Sequence, residues 1–219
     1  VNDAEQALKD DTTAASGKLV LSFPEVQLRT PLIKLITEFS GLYRDIHFEL
    51  RVSNTLDNII EEGIDFAFRI GKIENSRLTA NTLFPAHLVC VASPEYLNEF
   101  TTPTSFSDVI DQHKMLLPTY VNIREKINQL LNHTEAISLQ DTHLMNSETA
   151  IFDAVMQGMG VAALLDISIQ PQIDSGELIH LFPELTFPRQ DVCMIYHNRD
   201  YMPKKMRLFK EYIKQEYLL

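Results

Sequence analysis

The run from Phe48 to Gly71, FELRVSNTLDNIIEEGIDFAFRIG, carries the clearest pattern in the chain. Phe48, Leu50 and Val52 alternate with Glu49 and Arg51, the period of two that predicts a strand. Ser53, Asn54 and Thr55 follow, residue types that cap helix starts. Leu56, Ile59 and Ile60 then recur at helical spacing up to Glu61-Glu62-Gly63, and Phe66, Phe68 and Ile70 alternate again. Strand, short helix and strand form a βαβ unit, which makes a parallel sheet. Its strand ends and helix start share one rim, where open α/β sheets hold ligands.

The rest of the chain repeats this alternation. Lys18 to Phe23 predicts a strand. Thr30-Pro31 opens a helix with Leu32, Ile36, Phe39 and Tyr43 on one face, and Ile33, Leu35 and Leu42 spread apolar surface beyond that stripe. Leu83 to Ala92 predicts a strongly apolar strand, and Ser93-Pro94 starts a helix. A short helix over 105–110 and a strand over 114–117 follow, while 122–145 fits either a helix or two strands flanking a turn. Asn146 and Ser147 cap a helix that Gly158-Met159-Gly160 stops. A strand over 161–165, a helix over 167–173, a strand over 178–181, an apolar strand over 190–197 and a helix after Pro203 complete the chain. Two sets of alternating strands and helices result, the second bracketed by the strands 83–92 and 190–197. This predicts an α/β protein of two lobes joined by two crossing strands, with a hinge that lets the lobes close on a ligand. The expected division is 17–91 with 196–219 as the first lobe and 92–195 as the second, with 1–16 as the end of a linker.

Composition narrows the function. The chain is 45% hydrophobic and 22% charged, ordinary for a soluble protein. Its 19 Lys and Arg against 30 Asp and Glu leave a net charge of -11, which argues against these residues gripping a phosphate backbone by themselves. Two cysteines, Cys90 and Cys193, are too few for a disulfide framework and read as reduced core thiols. Both fall on the crossing strands, so a redox link is the alternative. No apolar run approaches a membrane span, and no basic-then-apolar signal segment opens the chain, so a cytoplasmic location is expected. The first residue is Val1, which leaves a preceding portion open. The seven histidines lack HExxH or CxxC metal spacing, and His113, His133 and His143 read as surface residues. No GxSxG elbow, P-loop or GxGxxG is present. Neither a metal, a cofactor nor enzyme activity is expected.

Six segments taken in order resemble the effector-binding domain of LysR-type transcriptional regulators. They are Gly17-Lys18-Leu19, the PLIKLITEFSGLY helix from Pro31 to Tyr43, EEGIDFAFRIGKIENSRL, LVCVASPEYL, NSETAIFDAVMQGMGVAALL and SGELIHLFP. The resemblance implies a type 2 periplasmic-binding-protein-like fold of two Rossmann-like lobes. It also implies an upstream winged helix-turn-helix and linker helix, through which alone DNA would be bound. Homodimers and tetramers are implied too, and the two-sided apolar helix 31–43 fits a pairing surface. A free-standing solute-binding protein of the same fold, and an enzyme on that fold, are the alternatives.

The resemblance places ligand contacts at Pro24, Glu25, Val26 and Gln27, at Ser53, Asn54 and Thr55, and at Arg69 and Gly71. It adds Thr119 and Tyr120, and Asn146, Ser147 and Glu148. Independently, helix starts at Thr30, at Asn54 or Thr55, and at Ser147 would turn backbone N–H groups to one interlobe cleft, which suits an anion. Arg69 would add a bidentate grip on a carboxylate. Ser53 and Ser147 read equally well as simple caps, and Arg69 as an intralobe salt bridge. Glu25, where many relatives carry small or hydroxyl residues, and Glu148 pull the other way. Two carboxylates suit a cationic or amine-bearing effector, are protonated by burial and mutual repulsion, or point to solvent.

Overall fold

Alternation along the first strand decides how the first lobe is built. The computed structural model describes residues 15–25, 32–53, 58–71, 78–119, 142–185, 187, 189–197 and 201–217. Within them β1 (Gly17–Phe23) pairs in parallel with both β2 (Ile46–Val52) and β3 (Phe66–Ile70). Strands β4 (Leu78–Ala86) and β10 (Gln190–His197) complete a five-stranded sheet of order β2-β1-β3-β10-β4, with β10 antiparallel to β3. The two strands of the 48–71 segment are parallel as expected, but β1 lies between them. Residues 58–63 form turns rather than a regular helix, with the Glu62 N–H on the Asn58 carbonyl at 2.9 Å and the Ile64 N–H on the Ile59 carbonyl at 2.9 Å.

Odd-numbered residues of β1, namely Leu19, Leu21 and Phe23, face one core. They pack with Phe66, Phe68, Met194 and Tyr196 against α1 (Leu32–Leu42) and α6 (Lys204–Tyr217). Phe39 sits centrally there, edge-on to Phe209 with ring centroids 5.1 Å apart. Burying each such side chain contributes about 1.5–3 kcal/mol. The opposite face of the sheet carries a smaller cluster of Val20, Ala67, Cys193 and Ile195 with Ile59 and Ile64. The second apolar side of α1 is only partly spent. Ile33 and Tyr43 are half-buried against the same core, whereas Leu42 is 66% exposed. On β2, at the edge of the sheet, Leu50 and Val52 are also exposed. Thr30 and Pro31 lie outside the described residues.

The second sheet has the order β7-β6-β8-β5-β9. Its strands are β5 (Leu88–Ala92), β6 (Met115–Pro118), β7 (Thr142–Met145), β8 (Val161–Leu165) and β9 (Ile179–Leu181). Strand β6 is parallel to β7 and β8, and β5 is antiparallel to β8 and β9. Helices α2 (Pro94–Glu99) and α3 (Phe106–Gln112) bury Tyr96, Phe106 and Val109 on one side. Helices α4 (Glu148–Met156) and α5 (Asp166–Ser175) bury Ile151, Val155 and Ile169 on the other. The caps follow the residue types: Ser93, Ser105 and Ser147 each accept a backbone N–H of their helix. Gly158 ends α4 at φ +75°, with the Met159 N–H on the Ala154 carbonyl and the Gly158 N–H on the Val155 carbonyl. At Gly160 a Cβ would lie 2.3 Å from the Lys114 carbonyl oxygen, so only glycine lets these backbones approach.

Internal contacts divide the chain into residues 1–85 with 191–219, and residues 86–190. These boundaries differ from the expected 91/92 and 195/196 because of pairing. The apolar stretch 83–92 is not one strand: it breaks at His87, leaving β4 in the first sheet and β5 in the second. Strand β10 hydrogen-bonds to β3 from Val192 to Ile195 and so belongs with the first unit. Cys90 and Cys193 are both free and buried, and burial pushes the Cys90 thiol up to about 12, far from a reactive thiolate.

His113, expected at the surface, is buried at 6% exposure. The Lys114 N–H donates to the Tyr96 hydroxyl at 3.1 Å, and that hydroxyl shares a hydrogen bond with His113 Nδ1 at 3.3 Å. Burial lowers the His113 pKa below 6.5, opposed by the Asp108 carboxylate. A lowered pKa means that the unfolded chain binds the proton more readily. The stabilisation is therefore full above pH 6.5 and is lost as the pH falls through the lowered value. Urea denaturation between pH 7.5 and 5 is expected to show this loss, and His113→Gln, which removes the titrating group, is expected to flatten it.

Candidate functional site

Parallel pairing puts the carboxyl ends of β1, β2 and β3 on one edge of the first sheet, and these ends carry the expected ligand positions. Pro24 and Glu25 follow β1 directly and are half-buried. Ser53 follows β2, its N–H held by the Phe23 carbonyl at 3.0 Å. Gly71 follows β3 at φ +93°, its N–H on the Asp191 carbonyl at 2.8 Å. The Cys193 thiol approaches the Gly71 carbonyl at 3.9 Å, a neighbour that the sequence pattern did not single out. Val26, Gln27, Asn54 and Thr55 lie outside the described residues, as does the helix start expected at Asn54 or Thr55.

Arg69 differs from its neighbours on this rim. It is 7% exposed, and its guanidinium turns into its own lobe. Nη1 donates to the Phe68 carbonyl at 2.6 Å and Nη2 to Ser22 Oγ at 2.8 Å. Ser22 is itself fully buried. A serine inside the apolar run LVLSF was the available signal for this pairing, since a buried hydroxyl needs a partner.

The second unit has a rim of its own. Thr119 follows β6, with its N–H on the Met145 carbonyl at 2.9 Å. Asn146 and Ser147 follow β7, which runs parallel to β6 with Pro118 beside Met145. Ser147 Oγ accepts the Ala150 N–H at 3.1 Å and so acts as the N-cap of α4. Glu148 opens that helix, where a carboxylate meets the positive end of the dipole. Tyr120 lies outside the described residues. Charge is unevenly shared: residues 86–190 hold 13 acidic and 4 basic residues, net -9, leaving -2 for the remainder of the -11. Among the described residues no group of three or more His, Cys, Asp or Glu could hold a metal ion, and no helix is long and apolar enough to cross a membrane.

Against known proteins, the family model of the LysR substrate binding domain matches residues 12–218. The chain belongs to the LysR substrate-binding-domain family. The regulatory domain of CrgA, a LysR-type transcriptional regulator from Neisseria meningitidis, is 25% identical at a TM-score of 0.80, covering 93% of this chain and 100% of that one. The regulatory domain of AphB from Vibrio vulnificus is 26% identical at a TM-score of 0.72, covering 93% of this chain and 100% of that one. An HTH-type transcriptional regulator of Haemophilus influenzae, itself uncharacterized, is 24% identical over 206 residues, 94% of this chain and 72% of its own length. The LysR-type assignment makes this a ligand-sensing regulatory domain with the two-lobed, periplasmic-binding-protein-like α/β fold of its family.

In this LysR-type domain Ser147 has at least the duty of a cap. Ser147→Ala is expected to cost about 1 kcal/mol and Ser147→Gly only a few tenths, measured by chemical denaturation.

Proposed function

We propose that the chain binds a small effector through the carboxyl-end rims of its two sheets and passes the event to the DNA-binding part of the full-length regulator. One observation carries this reading. Positions taken from the family pattern fall together in each unit, Glu25, Ser53 and Gly71 on one rim, Thr119, Asn146, Ser147 and Glu148 on the other. By the same resemblance Val26, Gln27, Asn54, Thr55 and Tyr120 complete the two rims. The domain acts by binding rather than catalysis and needs no cofactor. It works in the cytoplasm, where a DNA-controlling protein acts. The effector changes the regulator only by binding its states unequally.

The effector is cationic or amine-bearing rather than a simple carboxylate. Glu25 and Glu148 stand on the rims, the second unit has a net charge of -9, and two Arg69 nitrogens donate within its own lobe. Thermal-shift and amide NMR titrations with 1,4-diaminobutane and with propionate test this. A saturable rise in Tm with the diamine is expected. Amide shifts should concentrate at 25, 53, 71, 119 and 146–148. Glu25→Gln and Glu148→Gln should each weaken binding about tenfold. Propionate binding at these amides, with no response to the diamine, overturns the cationic reading.

Signal transfer runs through self-association as a homodimer, and a tetramer in the full-length protein. Leu42 at the end of α1, with Leu50 and Val52 on the edge strand β2, leaves apolar surface that a second copy would cover. Sedimentation of Leu42→Glu combined with Leu50→Glu is expected to show monomers where the unaltered chain shows dimers.

A further inference from the structure

We propose that Arg69 is a positioning residue that sets the first rim from below. The proposal rests on reading these strand ends as the effector rim. Arg69 is the one formally charged side chain, histidine aside, among the buried described residues. Burying a guanidinium is costly unless its donors are satisfied in good geometry. The period of two places Arg69 and Ser22 on the same face as Val20, Ala67 and Cys193. There Nη2 donates to Ser22 Oγ at 2.8 Å, tying β3 to β1 one residue before β1 ends. The next residue, Phe23, offers the carbonyl that holds the Ser53 N–H at the end of β2. Nη1 donates to the Phe68 carbonyl at 2.6 Å, so the same side chain braces β3 two residues before Gly71. The guanidinium thus fixes the end of β1 directly, that of β2 through Phe23, and that of β3 through its own backbone.

A positioning role and a purely structural one separate in amide hydrogen exchange, which needs no effector. Arg69→Met, Arg69→Lys and Ser22→Ala are compared with Phe66→Ala, a core truncation on the same strand. The proposal expects the Ser53 and Gly71 amides of all three variants to exchange about ten- to a hundredfold faster, beyond any global change. Ser22→Thr, which keeps the hydroxyl, should restore protection. The double variant Ser22→Ala with Arg69→Met should loosen these amides no more than Arg69→Met alone. Equal loosening by Phe66→Ala, or additive effects in the double variant, overturns the proposal. So does unchanged exchange in Arg69→Lys and Ser22→Ala, the variants that keep the fold if Arg69→Met does not. Rim protection unchanged in Arg69→Met while propionate shifts at Gly71 vanish assigns the guanidinium to the ligand instead. Because the exchange readout uses no ligand, failure of the amine titration leaves it standing, and the two readings fail separately.

Discussion

The parallel pairing of β1 with β2 on one side and β3 on the other is the constraint on which the first lobe depends. Parallel neighbours cannot be joined by a tight turn, so each connection crosses the sheet and all three strands finish on the same edge. Glu25, Ser53 and Gly71, which each follow a strand end, are thereby collected on that edge. The second lobe repeats the device with β7, β6 and β8, which collect Thr119, Asn146 and Ser147. Strands β10 and β5 run antiparallel to their parallel neighbours, so neither adds a carboxyl end to its rim.

Polarity within these sheets is economical. In the first sheet, one face is filled by large apolar side chains from Leu19 to Tyr196. The other face is thinner, and it is there that Ser22 and Arg69 are admitted. The second lobe places its buried polar chemistry elsewhere, in the Tyr96–His113 pair beside α2 and α3. Both arrangements satisfy donors locally, as a low-dielectric interior requires. The lobes differ more at their surfaces: -9 against -2 is a difference in the long-range field that approaching charges meet. An anion nearing the second rim would work against that field, and a cation would be drawn by it.

Local chemistry makes much of this readable in the sequence alone. Ser93-Pro94 and Ser147 mark helix starts because a hydroxyl can take an orphan N–H, and Gly158 marks an end because glycine adopts the positive φ found there. The alternation in β1 and the apolar runs of β8 and β10 are likewise properties of a few consecutive residues. What escaped depends on partners far along the chain. His113 is a polar residue after a helix until Tyr96 is brought beside it. Arg69 looks like a rim cation until Ser22, 47 positions earlier, accepts a hydrogen bond from its Nη2 inside the lobe. Leu50 and Val52 alternate as core residues do, yet their strand lies at a sheet edge and half their surface stays open.

The break at His87 shows the same limit most sharply. Leu83 to Ala92 is apolar almost throughout, and nothing local argues against one long strand. Asp166 ends it. The His87 N–H donates to Asp166 Oδ1 at 3.0 Å, the Asp166 N–H donates to the His87 carbonyl at 2.9 Å, and His87 Nδ1 lies 3.2 Å from Asp166 Oδ2. The His87 N–H is therefore taken by a side chain, while its carbonyl accepts the last backbone bond of the β5–β8 pairing. Asp166 can do this because it opens α5, where its carboxylate also accepts the Ile167 N–H at 2.7 Å and meets the helix dipole favourably. A single residue thus separates the strands of two sheets, and its direction is set by a helix that begins 79 positions later. The His87 N–H is drawn off the strand by this first-turn carboxylate, a tertiary partner that no pattern of apolar positions could contain.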